Sequence, residues 1–235
     1  MTHHASHVFE VLALAKLCGL IFLKEGKLTA SIQVTPLFGI PLYQSMIQTI
    51  DQDSIDFIKS TEYKRYPADN GYGSTNKFLL DSPKLKNLKS LIMTHAHHFI
   101  HDVLDVSQEA KFEMTNSWSS KHIKGDESGP HNHANSMLSG ILYLQTDDKS
   151  GDVLFHKDKN HYNLFTPTVN VPFNNKNYNY FNVEGWAVRP KNNMLLLFPS
   201  TLWHSVFPSE SDNDRYCVAF NLFAFGQFGY DTVTH

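Results

Sequence analysis

From Lys111 onward the chain is cut into short apolar segments, most of them too short to hold a helix. This punctuation limits the possible folds more than any other feature of the sequence. The segments Phe112–Ser119, Met137–Gln145, Gly151–His156, Gly185–Arg189, Met194–Phe198 and Tyr216–Phe223 are rich in Tyr, Phe, Val and Leu, with Gly, Asn, Asp and Pro between them. Such residues fit a pleated, half-buried surface, and this spacing suits an antiparallel sandwich or barrel. Between His156 and Val183 runs a long Asn-, Pro- and Tyr-rich stretch, which reads as a lid or substrate loop.

Upstream the texture is different. Gln44 to Ser60 places Met46, Ile47, Ile50, Ile55 and Ile58 at helical spacing. Ser82 reads as an N-cap and Pro83 as the first helical position. From there Leu85, Leu88, Leu91, Ile92, Ala96, Phe99 and Val103 continue a helix to about Leu104. Ile32 to Tyr43 reads as an extended strand interrupted by prolines. The expected fold is mainly β with flanking α: a double-stranded β-helix (jelly roll) over about 111–225, packed against N-terminal helices over about 44–110. Both lie in one domain spanning 32–235, and residues 1–31 form an N-terminal extension.

Composition narrows the function classes. A chain of 235 residues, 41% hydrophobic and 18% charged, can bury one sizeable core. A formal net charge of −3 gives no global attraction to nucleic acid or an anionic membrane. Cys18 and Cys217 fit neither a disulfide framework nor a zinc spacing, and the expected compartment is the reducing cytoplasm. Val8 to Leu23 is apolar except for Glu10 and Lys16, too short and too charged to span a bilayer. His3, His4 and His7 read as tail chemistry. His95, His97, His98 and His101 read as a hydrogen-bonding helix face, because no glutamate completes a metalloprotease motif between His97 and His101.

The chemistry concentrates in two segments. In Gly129-Pro130-His131-Asn132-His133, histidines at i and i+2 on an extended chain point to one side, so both rings can reach one ion. Neutral imidazole suits iron(II), zinc, copper and nickel. The second segment, Met194-Leu195-Leu196-Leu197-Phe198-Pro199, reads as a buried strand followed by Trp203-His204 in a turn. Eleven positions after His204, Arg215 opens the next strand and points into the same barrel. A buried guanidinium there needs an anion, and a carboxylate matches its planar fork.

In this order the motifs resemble the iron(II)/2-oxoglutarate-dependent oxygenase superfamily, in its prolyl-hydroxylase-like group with a His-x-His first motif. The matching residues are Asn116-Ser117-Trp118, Gly125, His131-Asn132-His133, Ser139 to Leu144, Ser150-Gly151 with Phe155, Leu197 to Ser200, His204, and Arg215 with Phe220-Asn221. They cover about Phe112 to Phe223, with a weaker match at Pro36-Leu37-Phe38.

The resemblance implies iron(II) held by His131 and His204, with 2-oxoglutarate as co-substrate. Arg215 matches the residue that pairs with its distal carboxylate, and Tyr143 resembles the tyrosine that hydrogen-bonds the same group. Asn116, Trp118 and Asn221 would line the pocket. The implied partners are 2-oxoglutarate, molecular oxygen and a substrate that is oxidised, in most such enzymes by hydroxylation. A homodimer through jelly-roll edges is compatible with this, and neither membrane nor nucleic acid is called for.

His133 departs from the pattern, since it stands where the family has a carboxylate ligand. It reads as the third ligand, which leaves the site more positive. Water, a halide, Asp126 or Glu127 are the alternatives for that position. Two rival readings remain. Gly125, His131-x-His133 and Pro199 with His204 also resemble parts of the cupin motifs, but Met137 and Leu138 fall in the region of the cupin glutamate, and Thr201 replaces a glycine. A non-catalytic carbohydrate-binding jelly roll could use Tyr162, Tyr178 and Tyr180, and leaves the histidines and Arg215 unexplained.

Overall fold

The computed structural model describes residues 35, 39–67, 71–157, 179, 181–228 and 233–234; for 227, 228, 233 and 234 it describes the backbone alone. The chain divides into Met1–Ile40 and Pro41–His235, and everything below concerns the second unit. Residues 1–31, the Pro36-Leu37-Phe38 match, Tyr162, Tyr178, Tyr180 and most of the stretch between His156 and Val183 lie outside the described residues.

The strands are β1 (Tyr43–Met46), β2 (Tyr63–Arg65), β3 (Tyr72–Ser74), β4 (Lys111–His122), β5 (Ser128–His131), β6 (Leu138–Gln145), β7 (Val153–His156), β8 (Gly185–Val188), β9 (Met194–Pro199), β10 (His204–Val206), β11 (Arg215–Phe225) and the short pair β12 (Gln227–Phe228) and β13 (Val233–Thr234). A seven-stranded sheet runs β1-β9-β6-β11-β4-β3-β2, and a four-stranded sheet runs β5-β10-β7-β8. All pairings in both sheets are antiparallel. Two facing antiparallel sheets of non-sequential strands make the double-stranded β-helix expected from the sequence.

The larger sheet is buried on both faces, which explains why β6 and β9 read as unbroken apolar runs and not as alternating strands. Successive side chains point to opposite faces. Leu142, Leu144, Leu195, Leu197, Val218 and Phe220 therefore pack on one side against Ile58, Leu85, Leu88, Ile92 and Phe99 of the helical layer. Ile141, Tyr143, Leu196, Phe198 and Cys217 face the other way, against Val153, Phe155 and Val188 of the smaller sheet. The site opens from this second, inter-sheet face.

Close packing of the helical side makes Gly140 a sensitive position. A Cβ there would lie 2.1 Å from Phe220 Cζ and 2.8 Å from Leu197 Cδ2. Both side chains are fully buried and have no room to yield. Gly140→Ala is expected to lower stability by about 1–3 kcal/mol, read as a lower midpoint in denaturant at unchanged slope.

The helices differ from their sequence reading. Tyr43 to Met46 is strand β1, paired to β9, and the helix α1 begins only at Gln52 (Gln52–Lys59). Asp51 caps it through a 2.7 Å bond from the Ser54 backbone N–H. The apolar residues before Asp51 serve a half-buried edge strand because the open edge of β9 offers paired backbone partners that a helix turn cannot. Ser82 caps no helix with its side chain. It lies between two 3₁₀ turns, Leu79–Asp81 and Pro83–Leu85, and α2 is Lys86–His97. The last turns, His98–Val103, widen into a π-helix.

Candidate metal and co-substrate site

His131 ends β5 and His204 begins β10, and the two are cross-strand partners in the smaller sheet. His133 lies two residues beyond β5, where its backbone N–H donates to the Ser200 carbonyl at 3.0 Å. The three rings gather at one point, with centroid separations of 4.3 Å (His131–His204), 5.2 Å (His133–His204) and 5.5 Å (His131–His133). One potential ligand atom from each lies within 4.8 Å of the others. Among the described residues this is the one such cluster of histidines, cysteines or carboxylates.

Each ring is tethered by its outer nitrogen. His131 Nδ1 lies 2.8 Å from the Gly129 carbonyl, His204 Nδ1 lies 3.0 Å from the Leu202 carbonyl, and His133 Nδ1 lies 2.8 Å from Asn221 Oδ1. Carbonyl and amide oxygens only accept, so each Nδ1 carries the proton and each Nε2 keeps its lone pair for a metal. Burial, with His131 beside them, pushes the His133 pKa down and that of His204 down to about 3. Both are then neutral at physiological pH, the form that binds metals. Phe198 packs edge-on against His204 at 4.9 Å, and Trp118 stacks on His133 at 5.7 Å.

Asn221 holds more than one group in place. Its Oδ1 also accepts from Ser139 Oγ at 2.8 Å, and its Nδ2 donates to Asn116 Oδ1 at 2.9 Å. A β-bulge follows Asn221 in its pairing with β4, a common device for re-aiming side chains beside a site. Asn116 thus sits behind Asn221 and does not line the cavity. Asn221→Ala is expected to weaken metal binding about 10–100-fold by releasing the His133 ring, as measured by competition with a chromogenic chelator.

The cavity beside the histidines has a volume of about 590 Å³; Trp118, His122, Ile141, Phe198, Arg215 and Asn221 contribute to its lining. Arg215 is 3% exposed, and its Nε and Nη1 have no hydrogen-bond partner. Its guanidinium lies over the Tyr143 ring at 5.2 Å. The Tyr143 hydroxyl is also buried without a partner, and burial raises its pKa despite the nearby Arg215 charge. No carboxylate among the described residues pairs with Arg215. An unpaired buried cation costs several kcal/mol, so this pocket is built for an anion. The histidine cluster and the orphaned guanidinium together fit a divalent metal with a carboxylate-bearing co-substrate.

Other sequence candidates fall away from the site. Asp126 accepts from Arg65 Nη2 at 2.8 Å and from the Ile123 backbone N–H at 2.9 Å, so it does not complete a metal site. On the helix, His98 pairs with Asp102 at 2.7 Å and His101 Nδ1 bonds the Val106 carbonyl at 2.9 Å, as a hydrogen-bonding face would. Sequence reading missed His122. It lines the cavity, is 2% exposed and is the cross-strand partner of Arg215. Trp118, expected to line the pocket, does so and stacks on a site histidine.

Residues 116–221 match a family described as "Putative 2OG-Fe(II) oxygenase". No curated protein matches the chain. Similar solved structures include HygX from Streptomyces hygroscopicus with nickel and 2-oxoglutarate bound (TM-score 0.51, 11% identity, covering 78% of this chain and 82% of that one). A Pseudomonas putida prolyl-4-hydroxylase matches with TM-score 0.50 and 13% identity over 77% of this chain and 92% of that one. The 2-oxoglutarate-dependent epimerase SnoN from nogalamycin biosynthesis matches with TM-score 0.53 and 10% identity over 78% of each chain. At these identities the structural likeness is one of fold. The family match spans the motifs that build this cavity: over residues 116–221 the chain matches the iron(II)- and 2-oxoglutarate-dependent oxygenases, a class of oxidoreductases.

Proposed function

We propose that the protein is a hydroxylase whose iron(II) is held by His131, His133 and His204 and whose 2-oxoglutarate is anchored by Arg215. The observation that carries this reading is the pairing of three tethered, converging imidazoles with a buried guanidinium that lacks an anion. When bound, iron(II) and 2-oxoglutarate supply the oxidising power, through decarboxylation of 2-oxoglutarate to succinate and carbon dioxide with consumption of oxygen.

The chain's own residues do the rest. The three Nε2 atoms would hold the ion, with the adjoining cavity left for smaller ligands. Arg215, lying over the Tyr143 ring, would hold the far carboxylate and so fix the orientation of the near one. Phe198 and Trp118 cover two of the imidazoles and keep water from them. Charge also favours this assignment. Three neutral ligands leave a divalent ion with its full charge, and a dianionic co-substrate balances it without the carboxylate ligand that His133 replaces.

Succinate formation from 2-oxoglutarate, followed with purified protein, iron(II) and a panel of amino acids and peptides, tests the reading. Turnover coupled to a product heavier by one oxygen atom is expected. Turnover coupled to a product of unchanged or lower oxygen content would replace hydroxylation with another oxidation, as the fold likeness to an epimerase would allow. The mainly neutral cavity wall, with Trp118, Pro130, Ala134 and Val206, suits a substrate without strong charge at its reacting end.

A further inference from the structure

We propose that His122 is a second anchor for the distal carboxylate of 2-oxoglutarate, acting beside Arg215 across the ladder between β4 and β11. The inference rests on the co-substrate reading above and names a residue that reading does not use. His122 and Arg215 are cross-strand partners, and their side chains share the cavity face of the sheet with Ser120, Cys217 and Ala219. They are 2% and 3% exposed. His122 Nδ1, Arg215 Nε and Arg215 Nη1 are all buried without a hydrogen-bond partner. Buried polar atoms of this kind are rare unless a ligand completes them. Three orphaned atoms on two adjacent residues of one wall fit a ligand with several acceptor sites, and a carboxylate has about four lone pairs.

The imidazole is prepared as a donor and held in place. The Ser128 hydroxyl lies 3.3 Å from Nε2 and can donate to it, in the tautomer that keeps the ring's own hydrogen on Nδ1. Burial, with Arg215 second, pushes its pKa down to about 3; Asp126 pulls the other way and Arg65 adds to the lowering. The ring is therefore neutral and adds a hydrogen bond without a second charge beside the guanidinium. Behind it, Gly71 adopts φ +72, and a Cβ there would lie 2.4 Å from His122 Cδ2 and 2.9 Å from Nε2. Backbone thus closes on the Cδ2–Nε2 edge of the ring. Tyr143 also has an orphaned hydroxyl, but it lies beneath the guanidinium and does not line the cavity, whereas His122 does.

The test compares two keto acids that chelate a metal alike, 2-oxoglutarate and 2-oxopentanoate, the second lacking the distal carboxylate. Each is titrated by calorimetry, without oxygen, into iron(II)-loaded protein. His122→Leu is expected to weaken 2-oxoglutarate about tenfold, or about 1.4 kcal/mol, and to leave 2-oxopentanoate unchanged. His122→Asn, whose amide nitrogen takes the place of Nδ1, is expected to recover most of the loss. Gly71→Ala, whose Cβ would press on the Cδ2–Nε2 edge of the ring, is expected to give the same selective weakening and serves if His122→Leu does not fold. Equal weakening of both acids would assign His122 a structural role, and no weakening of either would remove it from the site; each result overturns the proposal. If the unaltered protein does not prefer 2-oxoglutarate to 2-oxopentanoate, the co-substrate reading itself fails, and the His122 anchor with it.

Discussion

His204→Ala is expected to abolish iron loading and succinate formation together. His204 is the most buried of the three histidines, 3% exposed, and it is fixed on three sides: by its bond to the Leu202 carbonyl, by the edge of Phe198, and by its place opposite His131 in the ladder. Its imidazole therefore presents one lone pair in one direction with little entropy left to lose. Removing an outer partner of a metal ligand commonly costs 10–100-fold in affinity, and removing the ligand itself is expected to cost more than about 100-fold. Metal content after gel filtration and succinate yield measure the two effects. The metal-free protein should melt close to its usual temperature, but the rise in melting temperature on adding iron(II) should disappear, because that rise is mass action on the folded state. A variant that keeps its metal would remove His204 from the proposed set.

Arg215→Met carries the second large effect, and its two parts have opposite signs. Binding of 2-oxoglutarate is expected to weaken about 100-fold, about 2.7 kcal/mol, since truncating one partner of a buried, hydrogen-bonded charge pair typically costs 2–5 kcal/mol. In the absence of co-substrate the same change should raise stability by about 1–3 kcal/mol. It removes a cation whose Nε and Nη1 have no partner and puts an apolar chain of similar length over Tyr143 and Cys217. Urea unfolding with and without 2-oxoglutarate separates the parts. The natural protein should gain stability with the co-substrate, and the variant should start higher and gain little. A variant less stable than the natural protein in both conditions would mean that Arg215 serves the fold and not an anion.

The strands and the metal cluster were legible because both are written locally. The short Met194 to Pro199 run reads as a strand buried on both faces, and His131 and His133 share a side once their segment is extended. The same local logic misread Gln44 to Met46. Its helical spacing lost to pairing with β9, a partner about 150 residues away, and such long-range pairing overrides local propensity. Ser82 had the composition of a cap, yet the chain turns there between two 3₁₀ turns. His122 was illegible for a related reason. Nothing near it in sequence marks it, and it meets Arg215 only through the register of β4 and β11, a ladder broken by one bulge. The tethers on the histidines were hidden in the same way: two are backbone carbonyls and the third is Asn221, which the sequence offered as pocket lining.

The most direct test of the central assignment is an oxygen-free titration of the iron(II)-loaded protein with 2-oxoglutarate, followed by visible absorption. A metal-to-ligand charge-transfer band that saturates at one co-substrate per protein, and that is missing from His204→Ala, is the expected result. Iron bound with no such band, or a band that survives loss of His204, would contradict the account.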